Sequence, residues 1–293
     1  MTGSTEIVGQ ETGKTSLLIR RIVAYVVLAI LVFISLLPFY LLFINATRDK
    51  TQIGIQWYPG SALIDNFKKL FAPATQTIFG NVYKALLNSF IVSACASVLC
   101  VYFSALTAYA THVYHFKLRK FADTFILLIM MVPTQASAIG FYRMMISLNL
   151  IDSYIPLIIP AIASPATYYF MKQYMASSLP LEIVEAARID GCGEFRTFNT
   201  IVRPILKPAF AVQIIFTFVG NWNNFFTPRL IINAREKYTV PLVLSAMSHA
   251  GPVERDVAIF YLYMVLAILP VIVVYLFLSK FIIRGIALGS VKG

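Results

Sequence analysis

Acid is scarce in this chain: 13 Asp and Glu stand against 24 Lys and Arg, and charged residues of either sign fill only 13% of the 293 positions. A soluble domain carries about 25% charged residues, so the deficit excludes that class. Cysteine is nearly absent too, and Cys95, Cys100 and Cys192 have neither the paired spacing of a disulfide framework nor that of a metal site. The histidines His112, His115 and His249 form no ligand cluster, and no metal is expected. No HExxH or GxSxG arrangement occurs, so the chain is not expected to be an enzyme. The run Gly9-Gln10-Glu11-Thr12-Gly13-Lys14-Thr15 looks like a phosphate-binding loop, but it has three residues between its glycines where the motif needs four, and no apolar strand precedes it. No nucleotide or other cofactor is expected on this chain.

What remains is apolar, at 59% of the residues. A membrane span needs about 20 mostly apolar residues, and six segments qualify: 22–46, 86–111, 122–146, 153–175, 208–226 and 257–283. The expected fold is all-α, a polytopic membrane protein with six transmembrane helices. Residues 1–21, with Arg20-Arg21, resemble the start of a signal peptide, yet the apolar run that follows is too long for a signal core and lacks a small-residue cleavage site. It should stay as the first span, within a 22–283 transmembrane domain. Basic residues collect on the cytoplasmic side, and the short second-to-third loop carries His115, Lys117, Arg119 and Lys120. That puts both termini inside, with residues 1–21 and a tail at 284–293 in the cytoplasm. The net charge of +11 is read as this anchoring, with no nucleic acid needed. The loops at about 47–83 and 227–256 face outward. Their Pro, Gly, Asn and Trp57-Tyr58 content suggests folded loops able to meet an external partner.

The spans are expected to hold no Asp or Glu in their interiors, with Arg143 near one end. Ion-coupled carriers keep acids in the membrane for function, so no internal energy source is evident. The second span carries Ser89, Ser93, Ser97, Cys100, Ser104 and Thr107 at steps of three and four, placing small side chains on one face. Such a face serves helix packing or lines a pathway. Pro133, Pro156, Pro160, Pro165 and Pro270 are expected to kink their spans. Asn221, Trp222, Asn223 and Asn224 close the fifth span. Amides and an aromatic there suit a sugar path, or equally an interfacial belt.

Between spans four and five lies a polar island, residues 177–207. Leu181 to Arg188 are good helix formers, Gly191 and Gly193 break the helix, and Phe195, Phe198, Ile201 and Val202 follow as an apolar stripe before Pro204 and Pro208. The pattern is a knob offering acid and small residues to a partner. It resembles the EAA loop of permease subunits in ATP-binding-cassette importers: Glu185, Ala186, Ala187, Asp190, Gly191, Ile201 and Pro204 stand at the motif positions, with Arg203 replacing the usual Leu. The ending Arg284 to Gly293 and the Trp-Asn-Asn at span five are similar to the maltose-type, MalG-like sugar branch.

The resemblance implies the type I importer permease fold in a bacterial inner membrane. It implies a second, homologous permease subunit, two ATPase subunits that hold the ATP and Mg, and an external substrate-binding protein meeting Arg229 to Asp256. The loop would insert into the ATPase and drive alternating access. Gly289, Val291, Lys292 and Gly293 would make a second ATPase contact, unless the tail is loose. An oligosaccharide is the expected cargo, with acidic fragments such as alginate one candidate. The alternatives are a permease of the same kind for a non-sugar solute and an autonomous secondary carrier.

Overall fold

The computed structural model of the chain describes residues 4–49, 55–251 and 256–289, with side chains for all of these except 4–16, 134 and 282–289. Every regular element among the described residues is helical. In chain order these are α1 (Ser4–Ala46), α2 (Leu63–Leu70), α3 (Pro73–Phe79), α4 (Val82–Val113), α5 (Arg119–Ile129), α6 (Ala138–Ser147), α7 (Ile155–Ile158), α8 (Pro165–Ser178), α9 (Leu181–Ile189), α10 (Glu194–Thr197), α11 (Arg203–Ile205), α12 (Lys207–Trp222), α13 (Phe226–Ile231), α14 (Val240–Ser248) and α15 (Val257–Gly289). The run Gly9 to Thr15 lies inside α1, so it has no loop with which to cradle a phosphate.

Three helical stretches, Leu17–Ala46, Val82–Val113 and Val257–Phe281, are long and apolar enough to cross a bilayer unbroken. They contain the expected first and second spans and all but the last two residues of the expected sixth. Pro38 and Pro270 sit inside α1 and α15 without ending them. The third and fourth expected spans are a correction, because neither is one helix. The third divides into α5 and α6, with Pro133 in the gap and a 3₁₀ turn, Thr134–Ser137, leading on. The fourth divides into α7, a 3₁₀ turn at Ile159–Ile162, and α8, which starts on Pro165. A residue before proline is pushed out of the helical region, and Ser164 is extended at φ −113°, ψ 98°. Pro165 then takes the first helical position, where its missing N–H costs nothing. The expected kink is a full stop and restart.

The fifth span is α12, which meets the preceding helical stretch Glu194–Ile205 at 83°. The corner falls at Leu206, between Pro204 and Pro208. α12 stops at Trp222, so Asn223 and Asn224 lie past its end.

The described residues within Met1–Lys69 and Asp256–Val265 cluster as one unit, and those within Leu70–Arg255 and Leu266–Gly293 as a second. In the first, Asn45 sits at the end of α1 with its amide spanning Leu41 O (2.7 Å), Gln56 O (3.1 Å) and Gln56 N–H (2.9 Å). A side chain so occupied and 4% exposed is a structural clamp.

In the second unit α4 is the central post, with α8 and α12 packed along it. Ser89, Ser93, Ser97, Cys100 and Ser104 are all buried, while Thr107 is exposed. The small-residue face is therefore a packing seam, since small side chains let helix backbones approach closely in lipid. One apolar cluster joins Val92, Met145, Leu157, Ile231, Ile232 and Leu242. A second joins Ala105, Ala108, Tyr109 and Val113 of α4 to Tyr168, Met171 and Met175 of α8 and to Val184, Phe198 and Val202 of the polar island.

Candidate functional site

The island folds as a bracket whose inner face is apolar. On α9, Val184 and Ala187 are 1% and 4% exposed, and they stand three residues apart on one helix face. Glu185 and Ala186 point away from that core and are exposed. The alternation follows from helical spacing alone. It divides the Glu-Ala-Ala triplet into a packed Ala187 and an outward pair.

α9 ends in a Schellman motif. Gly191 N–H donates to Arg188 O (3.0 Å), and Cys192 N–H reaches back to Ala187 O (2.9 Å). The motif needs a left-handed residue, and Gly191 supplies it at φ +76°. A side chain there would meet open space, so the demand for glycine is conformational and not steric. The outward turn exposes Ile189 (86%), Asp190 and, across the bend, Phe195 (68%). Two large apolar side chains held in solvent on either side of a tight turn are costly to leave uncovered. Each would gain about 1.5–3 kcal/mol on burial.

The bend is braced. Arg188 Nε donates to Glu194 Oε1 at 2.6 Å, and the guanidinium lies 5.5 Å from the centre of the Tyr114 ring. Tyr109 of α4 donates its hydroxyl to Glu194 Oε2 at 2.9 Å. The Arg188 hydrogen bond holds the Glu194 carboxyl below the usual carboxylate range, against a smaller upward push from desolvation. Beyond α10, a π-turn at Phe198–Val202 buries Phe198 and Val202 completely, with the Phe198 ring 5.4 Å from Tyr109 and 5.8 Å from Tyr102. Ile201 is half-buried and Pro204 exposed at the corner. The expected stripe is corrected at Phe195, which faces solvent. Phe195 lies on α10, ahead of the π-turn, whose greater number of residues per turn shifts Val202 out of line with it.

A cavity of about 590 Å³ opens where the broken spans meet. Its walls include Cys100 of α4, Ile129 and Met130 at the end of α5, Ser164 and Pro165 at the restart of the fourth span, and Asn221 of α12. Asn221 and Asn224 also line an adjoining cavity of about 320 Å³. Both cavities have uncharged linings among the described residues. The amide cluster separates accordingly. Trp222 is 3% exposed, stacks on Phe218 at 5.7 Å and donates its indole N–H to Ala267 O at 3.1 Å. Asn223 is exposed and borders neither cavity. Asn224 accepts from Thr227 N–H at 3.3 Å and so opens α13. Of the tail positions, Gly289 is the last helical residue of α15, and Val291, Lys292 and Gly293 lie outside the described residues. Among the described residues no three His, Cys, Asp or Glu side chains gather as a metal site would need.

Neither the Arg188–Glu194 pair nor a second ion pair, between the broken spans, was foreseen from the sequence. Asp123, second residue of the expected third span, meets Lys172 of the fourth at 2.5 Å. Tyr168 donates a further hydrogen bond to Asp123, and its oxygen is 2.9 Å from Thr111 Oγ1 on α4. The expectation of acid-free spans fails here. The unlike charges at 123 and 172 were visible, but nothing in the sequence pairs positions so far apart. Asp152 was missed as well: its Oδ1 accepts from Asn233 N–H (2.6 Å) and Ala234 N–H (2.8 Å), fastening the 227–251 segment. Those two bonds, Ala234's first, hold its carboxyl below the usual range. Asn88 completes the attachment by donating to Glu236 O and Tyr238 O.

Residues 100–288 match the family described as the binding-protein-dependent transport system inner membrane component. The chain belongs to this family. The permease is therefore a non-catalytic membrane subunit of an importer. It is similar to the arabinooligosaccharides transport system permease protein AraQ of Bacillus subtilis, 33% identical over 94% of this chain and 97% of the relative. The maltodextrin transport system permease protein MdxG of the same organism is 31% identical over 96% of this chain and 99% of its own. A chain from the crystal structure of a bacterial ABC transporter involved in the import of the acidic polysaccharide alginate shares the fold. Its TM-score is 0.75 at 21% identity, covering 89% of this permease and 96% of that chain.

Proposed function

We propose that this permease moves an oligosaccharide inward and takes its driving force at the bracket Glu185 to Pro204 from a separate ATPase subunit that holds the ATP and Mg. The observation that carries the reading is the bracket itself. Its outer face shows Glu185, Ala186, Ile189 and Phe195 to solvent, while its inner face is built into the core of α4 and α8. A partner that covers the outer face pushes on α4 and α8, two of the helices that wall the cavity.

The relatives' cargoes, arabinooligosaccharides and maltodextrin, support a saccharide. So do the uncharged cavity linings, where Asn221 and Ser164 can exchange hydrogen bonds with sugar hydroxyls. A second, related permease would close the other side of the cavity, and two ATPase subunits would lie beneath the pair. An external binding protein would meet the segment held by Asp152 and Asn88. The basic second-to-third loop supports a cytoplasmic position for the bracket and both termini. Closure of the ATPase pair would turn the cavity outward to receive the sugar, and hydrolysis would return it inward.

Reconstitution tests this directly. Liposomes holding the partner permease, ATPase and binding protein together with this chain should take up oligosaccharide only with ATP inside. Uptake by this chain alone would sink the reading in favour of an autonomous carrier.

A further inference from the structure

The bracket carries one carboxylate whose two oxygens are committed to two different helices. Glu194 Oε1 accepts from Arg188 of α9 at 2.6 Å, and Oε2 accepts from Tyr109 of α4 at 2.9 Å. Arg188 and Glu194 are the chain neighbours of Ile189 and Phe195, the two apolar side chains displayed at the bend. The ion pair therefore sets the spacing of those two prongs. Tyr109 is 2% exposed, packed on Phe198 inside the α4 and α8 core, so its hydroxyl is a fixed point on the second span. The Arg188 guanidinium is steadied in turn by the Tyr114 ring at the end of α4.

We propose that Glu194 is a positioning residue that ties the two-pronged docking surface to α4, so that displacement of the prongs moves the second span instead of bending the loop. The proposal rests on the reading that this bracket meets the ATPase. A carboxylate is required because it accepts at both oxygens, whereas a Gln amide offers one acceptor oxygen. Without the tie, the bend would hold to α4 through the packing of Val184, Ala187, Phe198 and Val202, the Tyr102 hydroxyl on Asn199 Oδ1 (3.3 Å) and the Tyr114 ring beside Arg188, none of which joins Glu194 to the buried Tyr109 hydroxyl.

The test uses the complete importer in proteoliposomes, with Glu194→Gln, Tyr109→Phe and the double variant, and reads sugar moved per ATP hydrolysed. Both single variants should copurify with full ATPase yet lower that ratio about three- to ten-fold. The double variant should be no worse than the poorer single, because both substitutions cut one connection. A merely structural role would lower the amount of assembled complex and leave the ratio alone. Unchanged ratios, or losses that multiply in the double variant, would overturn the tie. If Glu194→Gln fails to assemble, Tyr109→Phe still decides, since it removes one oxygen from a ring that keeps its packing. Glu185→Lys run in parallel separates the two claims. ATPase retained by that variant sinks the docking reading, whereas ATPase lost there with normal ratios in the other variants sinks only the tie.

Discussion

Lys172→Met should destabilise the permease more than Asp123→Asn, and the double variant should be milder than either. The pair is 2.5 Å apart with each side chain 22% exposed, well short of a surface setting. Exposed pairs contribute about 0.2–1 kcal/mol, and removing one partner of a buried pair costs about 3–5 kcal/mol. One-fifth exposure puts this pair between those limits. Lys172→Met leaves a carboxylate held by Tyr168 alone, a loss of about 2–3 kcal/mol by that interpolation. Asp123→Asn leaves an ammonium on a flexible stem that can turn toward the interface, for about 1–2 kcal/mol. With both charges gone no ion is stranded, and the loss should shrink to about 1 kcal/mol or less. The assay is equilibrium unfolding of the purified permease in mixed detergent micelles, comparing all four chains. Losses in the double variant equal to the sum of the singles would mean that the two charges do not interact and that the pair holds nothing together.

Substitution at Gly191 should follow backbone conformation and not size. Ala should cost about 1–2 kcal/mol for occupying the left-handed region, Asn clearly less, and Val more than Ala, read as loss of helical protection at the end of α9 by hydrogen exchange. Equal effects of Ala and Asn would count against it. Acid should loosen the bend late. The folded Glu194 carboxyl is lowered, so its stabilisation is fully present above the unfolded value of about 4.3 and disappears as pH falls through the folded one. A spin label on Cys192 should keep constant mobility from pH 8 to about 5 and gain it only below about 4. In Glu194→Gln that acid step should vanish, and a label that loosens near pH 6 would contradict the assignment.

How much of this was legible in the sequence depended on whether the signal was local. The spans containing Val82–Val113 and Val257–Phe281 are plain apolar runs, and the helix, glycine turn and second helix of the bracket follow from neighbouring residues. Proline was ambiguous: Pro270 sits inside a continuous helix, whereas Pro165 starts a new one. The difference lies in Ser164, which caps α8 by accepting from Thr167 N–H. Asn221 and Asn224, three residues apart, both reach a cavity while Trp222 turns to the core. The π-turn at Phe198–Val202 is not announced by any local pattern, and the Asp123 to Lys172 pair and the Glu194 to Tyr109 bond join residues through the fold.

On the proposed function, the exposed face of the bracket is where an ATPase subunit sits. A photo-reactive residue placed at Ile189, 86% exposed at the bend, tests this in the assembled importer within its membrane. The expected result is a crosslink to the ATPase whose yield changes when ATP is bound. A label at position 189 that reacts only with lipid or water in a complex that still hydrolyses ATP and transports sugar would contradict it.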